Sequence, residues 1–383
     1  MTLEMTLHGA QVLRTDGFSS DPLTLAAGVI QADDGARVVD LPGYWVLPGI
    51  VDAHGDSFER HVAPRRGAMK DITEGLVATE AELAAQGITT AMIAQFVSWE
   101  GGVRGPDFAD KLFCALRDIR GAVVTDLHAQ LRFETHMIDH YADLPAKVAA
   151  WQIPYVVFND HLPHERLAAR RHPKGLPGKA LGAGWNPERY FDYMLAHPAT
   201  GPQVRDALPT LISGLQNLDV RMASHDDATE TDRAWWHDHG VRISEFPETA
   251  EAAQAARDRG DHIVLGCPNV VRGGSHKGNA SALDLIAMGL CDALASDYHY
   301  PSMRRAALLV ADAGICDMAA AWALISSGPA KLLGMSDRGA LVPGMRADLV
   351  VMDPATRRVC ATMSGGRFSY LTGDVAERMM ALS

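Results

Sequence analysis

From Ile50 to Asp297 the chain alternates short β-branched runs with longer helix-like stretches, and this alternation constrains its fold more than any other feature. The spacing predicts strands over Ile50–His54, Thr89–Gln95, part of Val123–Glu134, Tyr155–His161, Val220–His225, Arg242–Pro247, His262–Cys267 and Asp292–Asp297. Helices are expected between them, as over Glu74–Gln86, Phe108–Arg120, Pro202–Leu218 and Ala250–Arg259. Parallel strands need crossover connections, and eight strands that each hand over to a helix close into a (β/α)8 barrel. The flanks differ. They are short strand-like runs broken by turn signals such as Asp33-Asp34-Gly35 and Pro343-Gly344, so both chain ends are expected to build one small β-sandwich. The expected division is sandwich over 1–48, barrel over 49–335 and sandwich again over 336–383. Residues 162–219 are too long for a simple connection and are read as a partly helical lid or insertion.

Barrel enzymes carry their chemistry at the C-terminal ends of the strands. His54-Gly55-Asp56 ends the first run, and residues two apart on a strand share a face, so His54 and Asp56 could grip one metal ion. Four later runs also end in a possible ligand: Glu134, His161, His225 and Asp297. Imidazoles and carboxylates converging from separate strand ends are what a hydrolytic metal centre requires.

The formal charge of −12 excludes duplex nucleic acid as a partner, because such binding displaces counterions with a basic surface. Local potential can still steer a small polyanion. Between Leu162 and Tyr190 six cations (Arg166, Arg170, Arg171, Lys174, Lys179, Arg189) face only Glu165 and Glu188; His61–Lys70 holds Arg65, Arg66 and Lys70 without an acid, and Pro268–Ser281 holds Arg272 and Lys277. The five cysteines are too scattered for a disulfide framework or a Cys-x-x-Cys zinc site. No run approaches the ~20 apolar residues of a membrane span, and the N-terminus has no basic segment leading an apolar one, so a cytoplasmic protein is expected. A homodimer is the expected assembly.

Leu47-Pro48-Gly49-Ile50-Val51-Asp52-Ala53-His54, the Asp297 strand end and the closing run Gly339–Val350 resemble the amidohydrolase superfamily along essentially the whole chain. Four blocks resemble its PhnM family, of the carbon–phosphorus lyase pathway: His54–His61, Ala223–Thr229, Pro268–Asn279 and Leu294–Tyr298. Pro268–Asn279, with Arg272-Gly273-Gly274-Ser275-His276-Lys277, is the block the rest of the superfamily does not share. Phe58 and Arg60 depart from the family pattern, and Tyr298-His299-Tyr300-Pro301 lengthens its last motif, which bears on substrate preference more than on metal binding. The resemblance implies a diphosphatase that converts α-D-ribose 1-methylphosphonate 5-triphosphate to its 5-phosphate and pyrophosphate.

On that reading His54 and Asp56 hold one divalent ion, His161 and His225 a second, and Glu134 bridges them. Such ions bring a water's pKa toward neutrality. Asp297 would bind one ion and accept the water's proton, as the strand-eight Asp does in the superfamily. One or two ions are expected, with zinc favoured and manganese or iron competing, since the Asp56 carboxylate makes the site harder. Arg272, Ser275, His276 and Lys277, with Arg65 and Asp226, are the expected phosphate-binding residues, Arg because its planar fork pairs phosphate oxygens in twos.

Asp227, three residues before Glu230, is read as half of a helix-capping pair. His128, His136, His140, His164 and His172 are read as surface or satisfied core residues. Phosphate-loop, dinucleotide-binding, serine-nucleophile and His-Glu-x-x-His signatures are all missing. Two alternatives stay open: an amidohydrolase proper acting on an N-acyl or cyclic amide, for which the basic Arg272–Lys277 loop has no use, and a metal-binding scaffold without turnover.

Overall fold

The computed structural model describes residues 3–32, 37–64, 71–274 and 280–381. Eight parallel strands run in chain order around a barrel: β1 (Ile50–Gly55), β2 (Ile88–Val97), β3 (Asp126–Glu134), β4 (Tyr155–Asn159), β5 (Arg221–His225), β6 (Ile243–Glu245), β7 (His262–Gly266) and β8 (Ala293–Ala295). They are apolar because both faces are covered; every residue of β2 is buried. Met92, Tyr155, Val157, Ala223, Ile243 and Val264 form a cluster of their own, separate from the larger core shared by strands and helices.

Closure joins β1 to the residue just past β8. Gly55 and Asp297 form a parallel bridge, the Asp297 amide donates to the His54 carbonyl (2.9 Å) and the Asp56 amide to the Asp297 carbonyl (3.0 Å). Below them the buried Asp52 carboxylate accepts from the Ser296 amide (3.0 Å) and hydroxyl (2.5 Å). This seam leaves no room at Gly55: a Cβ there would lie 2.7 Å from both Asp52 and Tyr300 and 2.9 Å from Ser296. Glycine between His54 and Asp56 is therefore a steric requirement.

The outer helices follow local signals. Asp71 caps Ile72–Ala85 by accepting from the Thr73 and Glu74 amides, and Thr249 caps Ala250–Asp258 by accepting from the Ala252 amide. Proline opens Pro106–Ile119, whose buried Ala109, Leu112, Phe113, Leu116 and Ile119 lie on one helical face. Among the described residues no helix is long and apolar enough to cross a membrane.

Both chain ends build the sandwich. A four-stranded sheet (Val29–Gln31, Leu23–Ala26, Met5–His8, Arg37–Asp40) packs against a six-stranded one (Arg367–Leu371, Arg358–Ser364, Leu349–Asp353, Trp45–Pro48, Gln11–Arg14, Gly17–Ser19). The core between them includes Met5, Leu25, Val46, Leu349 and Met363. Trp45–Pro48 pairs antiparallel with Leu349–Asp353, so the strand leading into β1 is locked by the far end of the chain.

The segment between β4 and β5 has two parts. Gly201–Gln216 joins the main core through Leu208, Leu211, Ile212 and Leu215. The shorter helices His164–Ala168, Leu176–Gly182 and Pro187–Ala196 instead surround their own core, with Trp99, Leu167, Leu176, Tyr190 and Phe191. Glu100 ties this excursion to the barrel by accepting from Lys179 Nζ (2.7 Å) and Arg104 Nη1 (2.9 Å). Burial opposes ionisation of Glu100, but Lys179 and Arg104 outweigh it and bring its pKa down to about 2. A depressed carboxylate contributes stability that is present above its unfolded pKa of ~4.5 and lost as pH falls through the folded value, here on the order of 3 kcal/mol, reduced by the half-exposed Lys179. Limited proteolysis within 162–200 should therefore accelerate between pH ~4.5 and ~2 in the native chain. Glu100→Gln should be cut faster at neutral pH and show no such step; a retained step would assign the effect to another group.

Candidate metal centre

The mouth of the barrel is built around a buried carboxylate. Glu245, at the end of β6 and fully buried, faces His54 Nδ1 at 2.8 Å and His225 Nδ1 at 3.1 Å through one oxygen. Its other oxygen accepts from the Tyr155 hydroxyl (2.9 Å) and Gln130 Nε2 (3.2 Å). Burial alone would raise the pKa of Glu245, yet the two imidazoles hold it well below the usual carboxylate range. An imidazole whose Nδ1 is held by a carboxylate presents Nε2 as a ligand, the arrangement common behind metal-bound histidines.

His54 Nε2 is buried and has no hydrogen-bond partner among the described residues. His54, Asp56 and Asp297 each bring a ligand atom within 4.8 Å of the others. A buried lone pair aimed between two carboxylates fits a divalent cation. Without a bound cation, burial and then the neighbouring Asp56 raise the Asp297 pKa to about 6, against the opposing pull of His54 and Arg132. His161, His225 and Asp226 form a second convergent group by the same distance. Burial lowers the His225 pKa to about 4, Asp226 opposing and Arg132 assisting.

Three residues just past strand ends, Asp226, Phe246 and Asp297, have φ of 59°, 58° and 54°. Side chains rarely adopt this left-handed backbone, which costs about 1 to 3 kcal/mol each and clusters at functional sites.

Glu134 does not join either group. Its oxygens are engaged by His161, through Nδ1 at 2.5 Å and the backbone amide at 3.2 Å, contacts that orient His161. Arg132, two residues earlier on the same face of β3, occupies the centre instead. Its Nη1 donates to Asp56 (2.8 Å), its Nε and Nη2 to Asn159 Oδ1 (3.3 and 3.2 Å), and Nη2 faces His225 Nε2 at 3.1 Å. Glu245 and Arg132 are the residues that sequence reasoning missed. Glu245 lies inside the expected run Arg242–Pro247 and ends the strand only in the structure, Ile243–Glu245; Arg132 carried no signal beyond its even spacing from Glu134.

A cavity of about 320 Å³ opens over the centre, lined by Asp56, His161, His225, Asp226 and Asp297 and by the guanidiniums of Arg104, Arg132 and Arg272. Arg272 ends a helix, Cys267–Arg272, where a loop was expected after β7; Gly273 stops it at φ 78°, and Arg272 donates to the Tyr298 hydroxyl at 3.0 Å. A neighbouring cavity of about 330 Å³ shares His161 and is lined by Arg166, Lys174 and Lys179 of the excursion. Arg65, Ser275, His276 and Lys277 lie outside the described residues.

One secondary reading changes. Asp227 is not a capping residue: Thr229 caps Glu230–Asp238, while buried Asp227 accepts from Ser224, Ser244 and fully buried Arg233. His136 and His164 are as expected, a satisfied buried residue and a surface one, and both face Asp160, at 3.4 and 2.8 Å.

No family model matches the chain. It is 33% identical over 327 residues, 82% of its length and 85% of the relative's, to the α-D-ribose 1-methylphosphonate 5-triphosphate diphosphatase of Escherichia coli (strain K12). Its fold is similar to that of N-acetylglucosamine-6-phosphate deacetylase from Pasteurella multocida, with a TM-score of 0.64, 9% identity, and 96% and 99% of the two chains covered. The β-aspartyl dipeptidase of Fervidobacterium islandicum AW-1 gives a TM-score of 0.60 at 11% identity, over 97% and 99%. With its barrel, its terminal sandwich and this level of identity, the chain is a hydrolase and belongs to the PhnM family of the amidohydrolase superfamily.

Proposed function

We propose that this hydrolase cleaves the substrate in the name of its Escherichia coli relative, α-D-ribose 1-methylphosphonate 5-triphosphate, to the 5-phosphate and pyrophosphate. The observation that carries the reading is the barrel-mouth cavity, where Arg272, bonded to the neutral Tyr298 hydroxyl, lines the same space as the candidate metal ligands. An amide substrate has no use for that charge, whereas a triphosphate needs it.

His54, Asp56 and Asp297 are the residues that would hold a divalent ion, zinc first and manganese or iron next in view of the two carboxylates. When bound, the ion supplies an acidified water and charge neutralisation at the phosphoryl oxygens. Asp297 accepts the proton of the attacking water, its buried carboxylate lying at the closure of the barrel. As the new P–O bond forms at the inner phosphorus, the bond to the bridging oxygen breaks and its electron pair leaves with pyrophosphate. Arg272 meets the charge that develops on this leaving group, and Asp226, His161 and His225 line the same cavity, whose wall includes Arg104 held by Glu59 and Glu100. The adjoining cavity, with Arg166 and Lys174, offers cations to the phosphonate at the other end of the sugar. Arg65, Ser275, His276 and Lys277 complete the proposed set of phosphate-binding residues. The excursion over 162–200 acts as the lid over this mouth.

Hydrolysis of the triphosphate in ¹⁸O-water, followed by ³¹P NMR, should yield pyrophosphate and place the label in the sugar phosphate. Arg272→Ala should lower kcat/KM for the triphosphate by about tenfold or more, the range of a lost charged hydrogen bond, and leave any N-acyl side activity unchanged. Orthophosphate as first product, or equal losses on both substrate classes, would favour the amide-cleaving alternative.

A further inference from the structure

The contacts of Arg132 bear on how many ions the centre holds. Ions of a two-metal site sit ~3.5–4 Å apart on ligands arranged around both. The convergent group His54, His225 and Glu245 is already closed, its two Nδ1 atoms held by one Glu245 oxygen, so beside the first ion the described residues offer a second one the group His161, His225 and Asp226. His225 has committed Nδ1 to Glu245, which leaves only Nε2, and Arg132 Nη2 lies 3.1 Å from that atom. An ion bound to imidazole sits ~2.1 Å from the nitrogen, which is inside the space the guanidinium fills. One lone pair cannot serve both cations.

Arg132 is also poorly placed to withdraw. It is 4% exposed, bonded to Asp56 and Asn159, and stacked with its guanidinium carbon 4.0 Å from the centre of the Phe96 ring. Moving it would strand Asp56 and strip a buried cation of its partners. We propose that the centre is mononuclear, with one divalent ion on His54, Asp56 and Asp297 and the Arg132 guanidinium permanently in the place of a second ion. The inference rests on the metal-binding reading above and adds a stoichiometry to it. It also assigns Arg132 a function: a fixed cation lining the cavity beside Asp56 and His225 supplies the charge neutralisation that a second metal provides elsewhere.

The test is a metal count on purified enzyme saturated with Mn²⁺ and desalted, by mass spectrometry and by electron paramagnetic resonance. Wild type should hold one ion per chain, with the spectrum of an isolated Mn²⁺. Arg132→Met, which vacates the charge, should hold two and show spin coupling between them. Arg132→Lys, which keeps the charge, should stay at one. Two ions in wild type or in the Lys variant overturns the inference, as does a folded Arg132→Met that still holds one. No ion in wild type overturns the metal-binding reading itself, so the two failures are distinguishable. Should Arg132→Met not fold, the wild-type and Lys counts still decide.

Discussion

Asp297→Asn is expected to lower kcat by about 10² to 10⁴, the usual cost of removing a general base, with KM little changed. Asp297 follows β8, is locked to β1 by backbone hydrogen bonds on both sides of its own peptide, and shares a convergent site with His54 and Asp56. Asparagine keeps the shape and an oxygen ligand but cannot accept the proton. Equilibrium binding of a non-hydrolysable triphosphate analogue should therefore survive, and so should the metal content. A variant with wild-type turnover would remove Asp297 from the chemistry; one that lost its metal would show that the carboxylate acts chiefly as a ligand.

The second large effect is expected at Glu245, which touches no solvent. In Glu245→Leu the two imidazoles, the Tyr155 hydroxyl and Gln130 lose a common acceptor. Deleting a carboxylate behind a metal-bound histidine costs about 10- to 100-fold in metal affinity, and breaking a buried charged network from one side costs about 3 to 5 kcal/mol of stability. Chelator competition measures the first and urea denaturation the second. Glu245→Gln, which retains an acceptor oxygen, should recover part of both. Unchanged metal affinity in the Leu variant would mean that His54 does not ligate through Nε2.

These residues also mark the limits of reading the chain without its structure. The barrel and the sandwich were legible because burial on both faces demands apolar strands, parallel pairing demands crossovers, and turn residues punctuate the flanks. The convergence of His54, Asp56 and Asp297 was legible for a related reason: strand ends at one mouth must meet, and a two-residue spacing keeps two side chains on one face. Glu245 lay within the expected run Arg242–Pro247 and was overlooked because a carboxylate inside a strand run has no local mark of what it holds.

What separates Glu134 from Arg132 lies beyond any local pattern. Both point into the barrel from β3, and the expected ligand was the carboxylate. Their partners are set by tertiary structure: His161 from the turn after β4 closes on Glu134 while Asp56, Asn159 and His225, from three other strand ends, close on Arg132. Alternation specifies which side chains face inward. Which buried charge meets which partner depends on distances between strands far apart in the chain, and those exist only once the barrel has closed at Gly55 and Asp297.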